Sequence, residues 1–192
     1  MPNLYIIAGP NGAGKTTASY TVLPEFLNCY KFVNADEIAK GISPLRPESA
    51  SFEAGKFMLN QIEKHLKDKI DFALETTLST KTYVDTIKKA KKRGYKITIL
   101  FFWLGSIQIA KARVKKRVES GGHNIPSETI ERRYKRGLYA FFNVFLPLCD
   151  RWILINNNTR PNYIAKFENN VLKFYKKSVF EKIKKESLNY EY

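Results

Sequence analysis

The sequence predicts an α/β fold built on parallel strands. Three observations carry that expectation: a glycine-rich loop set between an apolar run and a helical stretch, the recurrence of short apolar runs between amphipathic helical patterns, and acidic residues directly after two of those runs. The loop is Ala8-Gly9-Pro10-Asn11-Gly12-Ala13-Gly14-Lys15-Thr16-Thr17, following the strand-like run Leu4 to Ile7. It matches G-x-x-x-x-G-K-[ST] at every fixed position, so a P-loop NTPase is expected. Gly9, Gly12 and Gly14 remove the side chains that would keep backbone N–H groups away from a polyphosphate, and Pro10, Asn11, Ala13 and Thr17 complete the cradle. Lys15 is expected at the β/γ-phosphates of ATP and the Thr16 hydroxyl on Mg²⁺, while the helix starting near Gly14 turns its positive end towards the anion. A glycine-rich turn without a ligand would not need this strand–loop–helix setting.

Composition limits the classes open to the chain. Its 192 residues, 44% of them hydrophobic, suit one domain with a full core and argue against disorder. No apolar run approaches the roughly 20 residues of a membrane span, and the first residues read as a strand rather than a signal peptide, so a cytoplasmic protein with no membrane partner is expected. Cys29 and Cys149 lie far apart, in no metal-ligand or disulfide spacing, and read as buried reduced thiols. The net charge of +15 suits an anionic small substrate, a nucleic acid or a well-solvated surface.

Along the chain, the helix after the loop is expected from about Lys15 to Val22, stopping before Pro24. Lys31-Phe32-Val33 has strand character and leads into Asn34-Ala35-Asp36. Residues just past a strand's C-terminal end face the ligand crevice of an open α/β sheet, which places Asp36 for chemistry; capping the next helix, Glu37 to Lys40, is its alternative role. Gly41 to Pro47 reads as a loop, and Glu48 to Lys67 as a long helix with Phe52, Phe57, Met58, Gln61, Ile62 and Leu66 on one face. Ile70 to Leu74 is a buried strand that ends at Glu75-Thr76-Thr77, so Glu75 succeeds its strand as Asp36 succeeds the one before. Thr80 to Arg93 is a helix closed by Gly94, with Val84, Ile87 and Ala90 inward and a solvated cationic C-terminus. Ile97 to Leu104, apolar on both faces, is a central strand, and Ser106 caps the next helix. Arg151 to Ile155 is the fifth strand, leading to the polar loop Asn156 to Pro161, where Asn156 is assigned to the adenine edge. Ile164 to Phe167 and Val171 to Tyr175 form a hairpin, and Ser178 to Ser187 a terminal helix. A single domain over residues 1–192 is expected, with the hairpin and last helix at about 162–189.

Ile107 to Glu119 and Glu128 to Leu146 read as two helices joined by a loop containing Gly121, Gly122, His123 and Pro126. They carry nine cations against three glutamates, and Arg113 with Arg117, like Arg132 with Arg136, share a helix face. A glycine-hinged basic hairpin suits a lid over a triphosphate, spanning about 106–137, with Arg117, Arg132 and Arg133 as candidate phosphate clamps. His123 sits where a moving loop would bring it to the substrate.

Taken together, Gly9 to Thr17, Asn34-Ala35-Asp36, Glu75-Thr76-Thr77 and the arginine-bearing lid ending in Ile125-Pro126 resemble the zeta-toxin-like P-loop kinases, over about Leu4 to Asn158. That group is similar in fold to shikimate, adenylate and polynucleotide kinases. The resemblance implies five parallel strands in the order 2-3-1-4-5 with helices on both faces. It implies transfer of the γ-phosphoryl group of ATP to a hydroxyl, in the best-known members the 3′-hydroxyl of UDP-N-acetylglucosamine. Asp36 matches the family's base and Glu75 its substrate-orienting acid. Three residues before the lid proline, where zeta toxins usually carry a phosphate-gripping arginine, this chain has His123. An antitoxin protein is the partner such a resemblance suggests.

Two other function classes stand beside this one. A polynucleotide or nucleoside kinase acting on nucleic-acid ends would use the basic, tyrosine-rich helices, but the cations spread over three helices with no aromatic-basic strand motif. A non-catalytic ATP-binding regulatory module would not need Asp36 and Glu75 as a hydroxyl base and its partner.

Overall fold

A computed structural model describes residues 1–122 and 124–190. Its centre is one seven-stranded sheet in the order β2-β3-β1-β4-β5-β6-β7, formed by β1 (Asn3–Ala8), β2 (Phe32–Val33), β3 (Phe72–Thr76), β4 (Lys96–Trp103), β5 (Arg151–Asn156), β6 (Asn162–Glu168) and β7 (Val171–Phe174). The first five strands are parallel in the expected order 2-3-1-4-5. The count of five is corrected to seven, because the hairpin pairs antiparallel along the free edge of β5. Asn169 and Asn170, both at positive φ, supply the tight turn, and β6 buries Ile164 and Ala165 in the core. β1 and β4 lie between neighbours and are buried on both faces, which is why they read as near-continuous apolar runs.

Among the described residues seven α-helices accompany the sheet: α1 (Lys15–Thr21), α2 (Ala35–Ile42), α3 (Ser51–Asp68), α4 (Thr82–Lys92), α5 (Ile107–Glu119), α6 (Ser127–Ala140) and α7 (Lys177–Ser187). Pro24 does not stop the first of them cleanly. It lies inside a π-helical turn, Val22–Phe26, where the Leu27 N–H reaches back to the Val22 carbonyl. The long helix expected after Pro126 likewise passes into a π-helical turn, Phe141–Phe145, whose Phe141 stacks on Phe101 at 4.3 Å between centroids.

The inward face of α3 also needs correction. Phe52 and Phe57 are 75% and 49% exposed, and the buried stripe is Ala54, Met58, Ile62, His65 and Leu66. Ala54 packs with Ala39 and Ala50 where α2 crosses, and only small side chains admit so close an approach. On α4, Ile87 and Ala90 are fully buried as expected, while its terminal cations are partly paired: Lys89 and Arg93 with Glu63, and Lys91 with Asp150. Both cysteines are free and buried, and desolvation pushes the thiol of Cys29 up to about 11 and that of Cys149 up to about 12. No helix among the described residues is long and apolar enough to cross a membrane.

Candidate active site

The phosphate-binding loop leaves β1 at its C-terminal end. Gly9, at φ +140°, cannot carry a side chain, because a Cβ there would stand 2.3 Å from the Phe102 carbonyl oxygen on β4. Gly14, at φ +75°, precedes α1 and makes no side-chain cap, which leaves the first N–H groups of the helix facing outward into the cavity. Asn11 is 5% exposed, and its Oδ1 has no hydrogen-bond partner among the described residues. From behind, Asn157 donates through Nδ2 to the Ala13 carbonyl at 2.7 Å, and Arg113 donates to the carbonyls of Gly12 at 3.4 Å and Asn158 at 2.8 Å.

Two acidic residues meet this loop. Glu75, at the end of β3, accepts from the Thr16 hydroxyl at 2.9 Å and from Asn34 Nδ2 at 2.9 Å, and its second oxygen lies 3.6 Å from Lys15 Nζ. Lys15 also donates to the Pro10 carbonyl at 3.0 Å. With side chains 7% and 11% exposed, Lys15 and Glu75 are a desolvated pair. Burial pushes the Glu75 carboxyl up and the Lys15 amine down, and their mutual attraction opposes both shifts. Asn34 caps α2 by accepting from the N–H groups of Asp36 and Glu37. Asp36 is therefore not the cap; it stands in the first turn of α2 and lines the cavities beside the loop. Asn34 joins the two acids, and its residue type, a preferred cap just after a strand, was the available signal for it.

Two cavities open here. The larger, about 630 Å³, runs along the loop, with Thr16, Thr17, Lys40, Arg113 and Arg117 among its walls. The smaller, about 300 Å³, lies between the end of β3 and α6. Asn11, Lys15, Asp36 and Glu75 line both. The smaller is faced by Thr77, the end of the Glu75-Thr76-Thr77 run, by Ser79, Thr80 and Tyr83, which the sequence did not single out, and by Arg132, Arg133 and Arg136. Leu78, fully buried at φ +56°, makes the bend that brings Thr77 and Ser79 to the cavity; a leucine in that conformation carries no sequence signal. Burial lowers the pKa of the Arg133 guanidinium, and the charge of nearby Asp36 offsets part of that shift.

Gly137 sets the height of α6 over this cavity, since a Cβ there would meet the Thr77 carbonyl oxygen at 2.3 Å. Gly137→Ala is expected to lift α6 off β3 and lower catalytic efficiency by about tenfold or more, with a loss of stability of about 1–3 kcal/mol from overpacking. Steady-state kinetics beside thermal unfolding checks this, and an unchanged Tm with unchanged kinetics would show that α6 is not held by that contact.

The expected site residues thus divide. Lys15, Thr16, Asp36 and Glu75 come together, Arg117 lines the larger cavity, and Arg132 and Arg133 line the smaller. Asn156, assigned to the adenine edge, uses its Oδ1 to accept from the Asn158 N–H and so shapes the loop after β5. His123 lies outside the described residues. The hydroxyl of Thr16 beside the Glu75 carboxylate is an all-oxygen donor set that suits Mg²⁺.

A family model described as zeta toxin matches residues 1–151. A protein of Haemophilus influenzae described as uncharacterized is 32% identical over 128 residues, covering 66% of this chain and 88% of its own. A chain in the crystal structure of AvrRxo1-ORF1:-ORF2 with ATP superposes with a TM-score of 0.74 at 16% identity, over 95% of this chain and 63% of its own length. This protein therefore spans about 63% of that chain. A structure of the PezAT toxin–antitoxin system of Streptococcus pneumoniae gives a TM-score of 0.64 at 14% identity, over 98% and 86%. The architecture is that of the P-loop kinases, and with the family model covering its loop, both acids and the basic hairpin, the chain belongs to the zeta toxin family.

Proposed function

We propose that the protein is an ATP-dependent kinase that transfers the γ-phosphoryl group to a hydroxyl of an anionic small molecule, with a nucleotide sugar such as UDP-N-acetylglucosamine as the acceptor that family membership suggests. The observation that carries this reading is the junction of the two cavities at Lys15, Asp36, Glu75 and Asn11. A transferring group has to cross between a nucleotide and an acceptor, and the cation, the carboxylates and the loop stand at that crossing.

In this reading the triphosphate lies along Gly9 to Thr17 with Lys15 at its β- and γ-phosphates. Thr16 and Glu75 would hold Mg²⁺, which when bound would neutralise charge on the phosphates. Asp36 takes the proton of the acceptor hydroxyl as the new O–P bond forms and the bond to the β-phosphate oxygen breaks, releasing ADP. Arg117 stabilises the transferring group from the larger cavity and Arg133 from the smaller. An antitoxin protein is the expected partner by analogy with the PezAT system, and the cytoplasm the expected compartment. Mass analysis after incubation with Mg·ATP and a panel of nucleotide sugars, nucleosides and oligonucleotides tests the reading. A gain of one phosphate on a nucleotide sugar is the expected result; a gain confined to oligonucleotide ends would replace it with the polynucleotide kinase reading.

A further inference from the structure

Asn11, Lys15, Asp36 and Glu75 line both cavities of the site. A phosphoryl group that passes from one cavity to the other presents hydrogen-bond acceptors and carries negative charge. The carboxylates of Asp36 and Glu75 offer acceptors only, so they repel it. Lys15 offers donors only, and it is already engaged by the Pro10 carbonyl at 3.0 Å and the Glu75 carboxylate at 3.6 Å. Asn11 is the neutral member of the four, and its amide brings N–H donors to the crossing.

The loop carbonyls around Asn11 have partners. The Ala13 N–H donates to the Pro10 carbonyl at 3.2 Å, Arg113 to the Gly12 carbonyl and Asn157 to the Ala13 carbonyl. The backbone is also pinned, since a Cβ on Gly12 would stand 2.9 Å from the Ala110 carbonyl oxygen on α5. Inside that fixed frame Asn11 is buried, and its Oδ1 has no hydrogen-bond partner among the described residues. A buried amide left unpaired costs the ligand-free fold free energy that an apolar side chain of the same size would not. No hydrogen bond to Oδ1 fixes which end of the amide faces the crossing, so Nδ2 is able to turn towards it. A phosphoryl oxygen arriving there gives that N–H its acceptor.

We propose that Asn11 is a catalytic residue of the transfer, donating a hydrogen bond from Nδ2 to an oxygen of the phosphoryl group in flight. The inference rests on the kinase reading above and moves the residue from the general phosphate cradle to the reacting group. In the step, the bond between the γ-phosphorus and the oxygen bridging to the β-phosphate breaks, and its electron pair leaves with ADP. The acceptor oxygen bonds to phosphorus, and its proton passes to Asp36. Asn11 itself makes and breaks no covalent bond. Its donor meets the phosphoryl oxygens where the two carboxylates repel them most, so it contributes more to the group in flight than to bound ADP.

The test is calorimetric titration of Mg·ADP without and with aluminium fluoride, which stands in for the phosphoryl group in flight and requires no acceptor to be known. The unaltered protein is expected to bind ADP at least about 100-fold more tightly when aluminium fluoride is present. Asn11→Leu, close in size, and Asn11→Ala should each lower that gain by about 10- to 100-fold, with ADP affinity within a few-fold of the parent. If leucine does not fit the loop, the alanine variant decides. A gain that survives in a variant, a parent that gains nothing from aluminium fluoride, or a loss in both variants that falls equally on ADP alone overturns the inference. Failure of the kinase reading itself looks different: the unaltered protein binds no Mg·ADP at all.

Discussion

Lys15→Ala is expected to lower phosphoryl transfer by at least about 10²–10³-fold and to weaken ATP binding, because it removes the fixed cation at the junction of the two cavities. The effect extends to the ligand-free protein. Glu75 is buried, and Lys15 is the cation that lies 3.6 Å from it, so without the amine desolvation pushes its carboxyl still further up. A carboxyl whose folded pKa is raised contributes stability below its ordinary value, and loses that contribution as pH rises through the folded value. The variant should therefore lose more Tm, relative to the parent, as pH rises above the ordinary carboxylate range. Turnover, fluorescent-nucleotide binding and thermal unfolding across pH are the measurements. Normal turnover in Lys15→Ala would end the kinase reading, and a Tm difference independent of pH would mean that Glu75 finds another partner.

Asp36→Asn should lower turnover by roughly two to four orders of magnitude while leaving ATP affinity within a few-fold of the parent, since an amide keeps the shape of the carboxylate but cannot take a proton. The fold is expected to tolerate the change. The cap of α2 is made by Asn34 Oδ1 to the backbone N–H of residue 36, and this does not depend on the side chain there. Single-turnover kinetics beside nucleotide binding separates the two roles open to this carboxylate. If ATP affinity collapses while turnover per bound nucleotide survives, Asp36 holds the metal or the loop instead of the proton.

Much of the site was legible because its signals are local. The loop motif spans a few residues whose spacing is dictated by phosphate geometry, and the two acids were found because each follows a short apolar run whose C-terminal end faces the crevice. The residues of the smaller cavity were less legible. Thr77 and Ser79 are brought to it by a bend at Leu78 that no residue type announces, and Gly137 looked like any helical glycine until it met the Thr77 carbonyl. On α3 the large aromatics pointed to the wrong face, because a helix crossing selects small residues such as Ala54 over bulky ones.

By itself the sequence determined the P-loop α/β class, the order of elements, the family and the two catalytic carboxylate candidates, all of which rest on short-range patterns of glycine, charge and hydrophobic period. Only the tertiary structure decided that the C-terminal hairpin extends the sheet to seven strands, that Glu75 takes the Thr16 hydroxyl 59 residues away, and that the hairpin arginines divide between two cavities. These are contacts between distant segments. Their geometry depends on how the sheet twists and how closely each helix approaches it, and neither quantity is written in any single stretch of the chain.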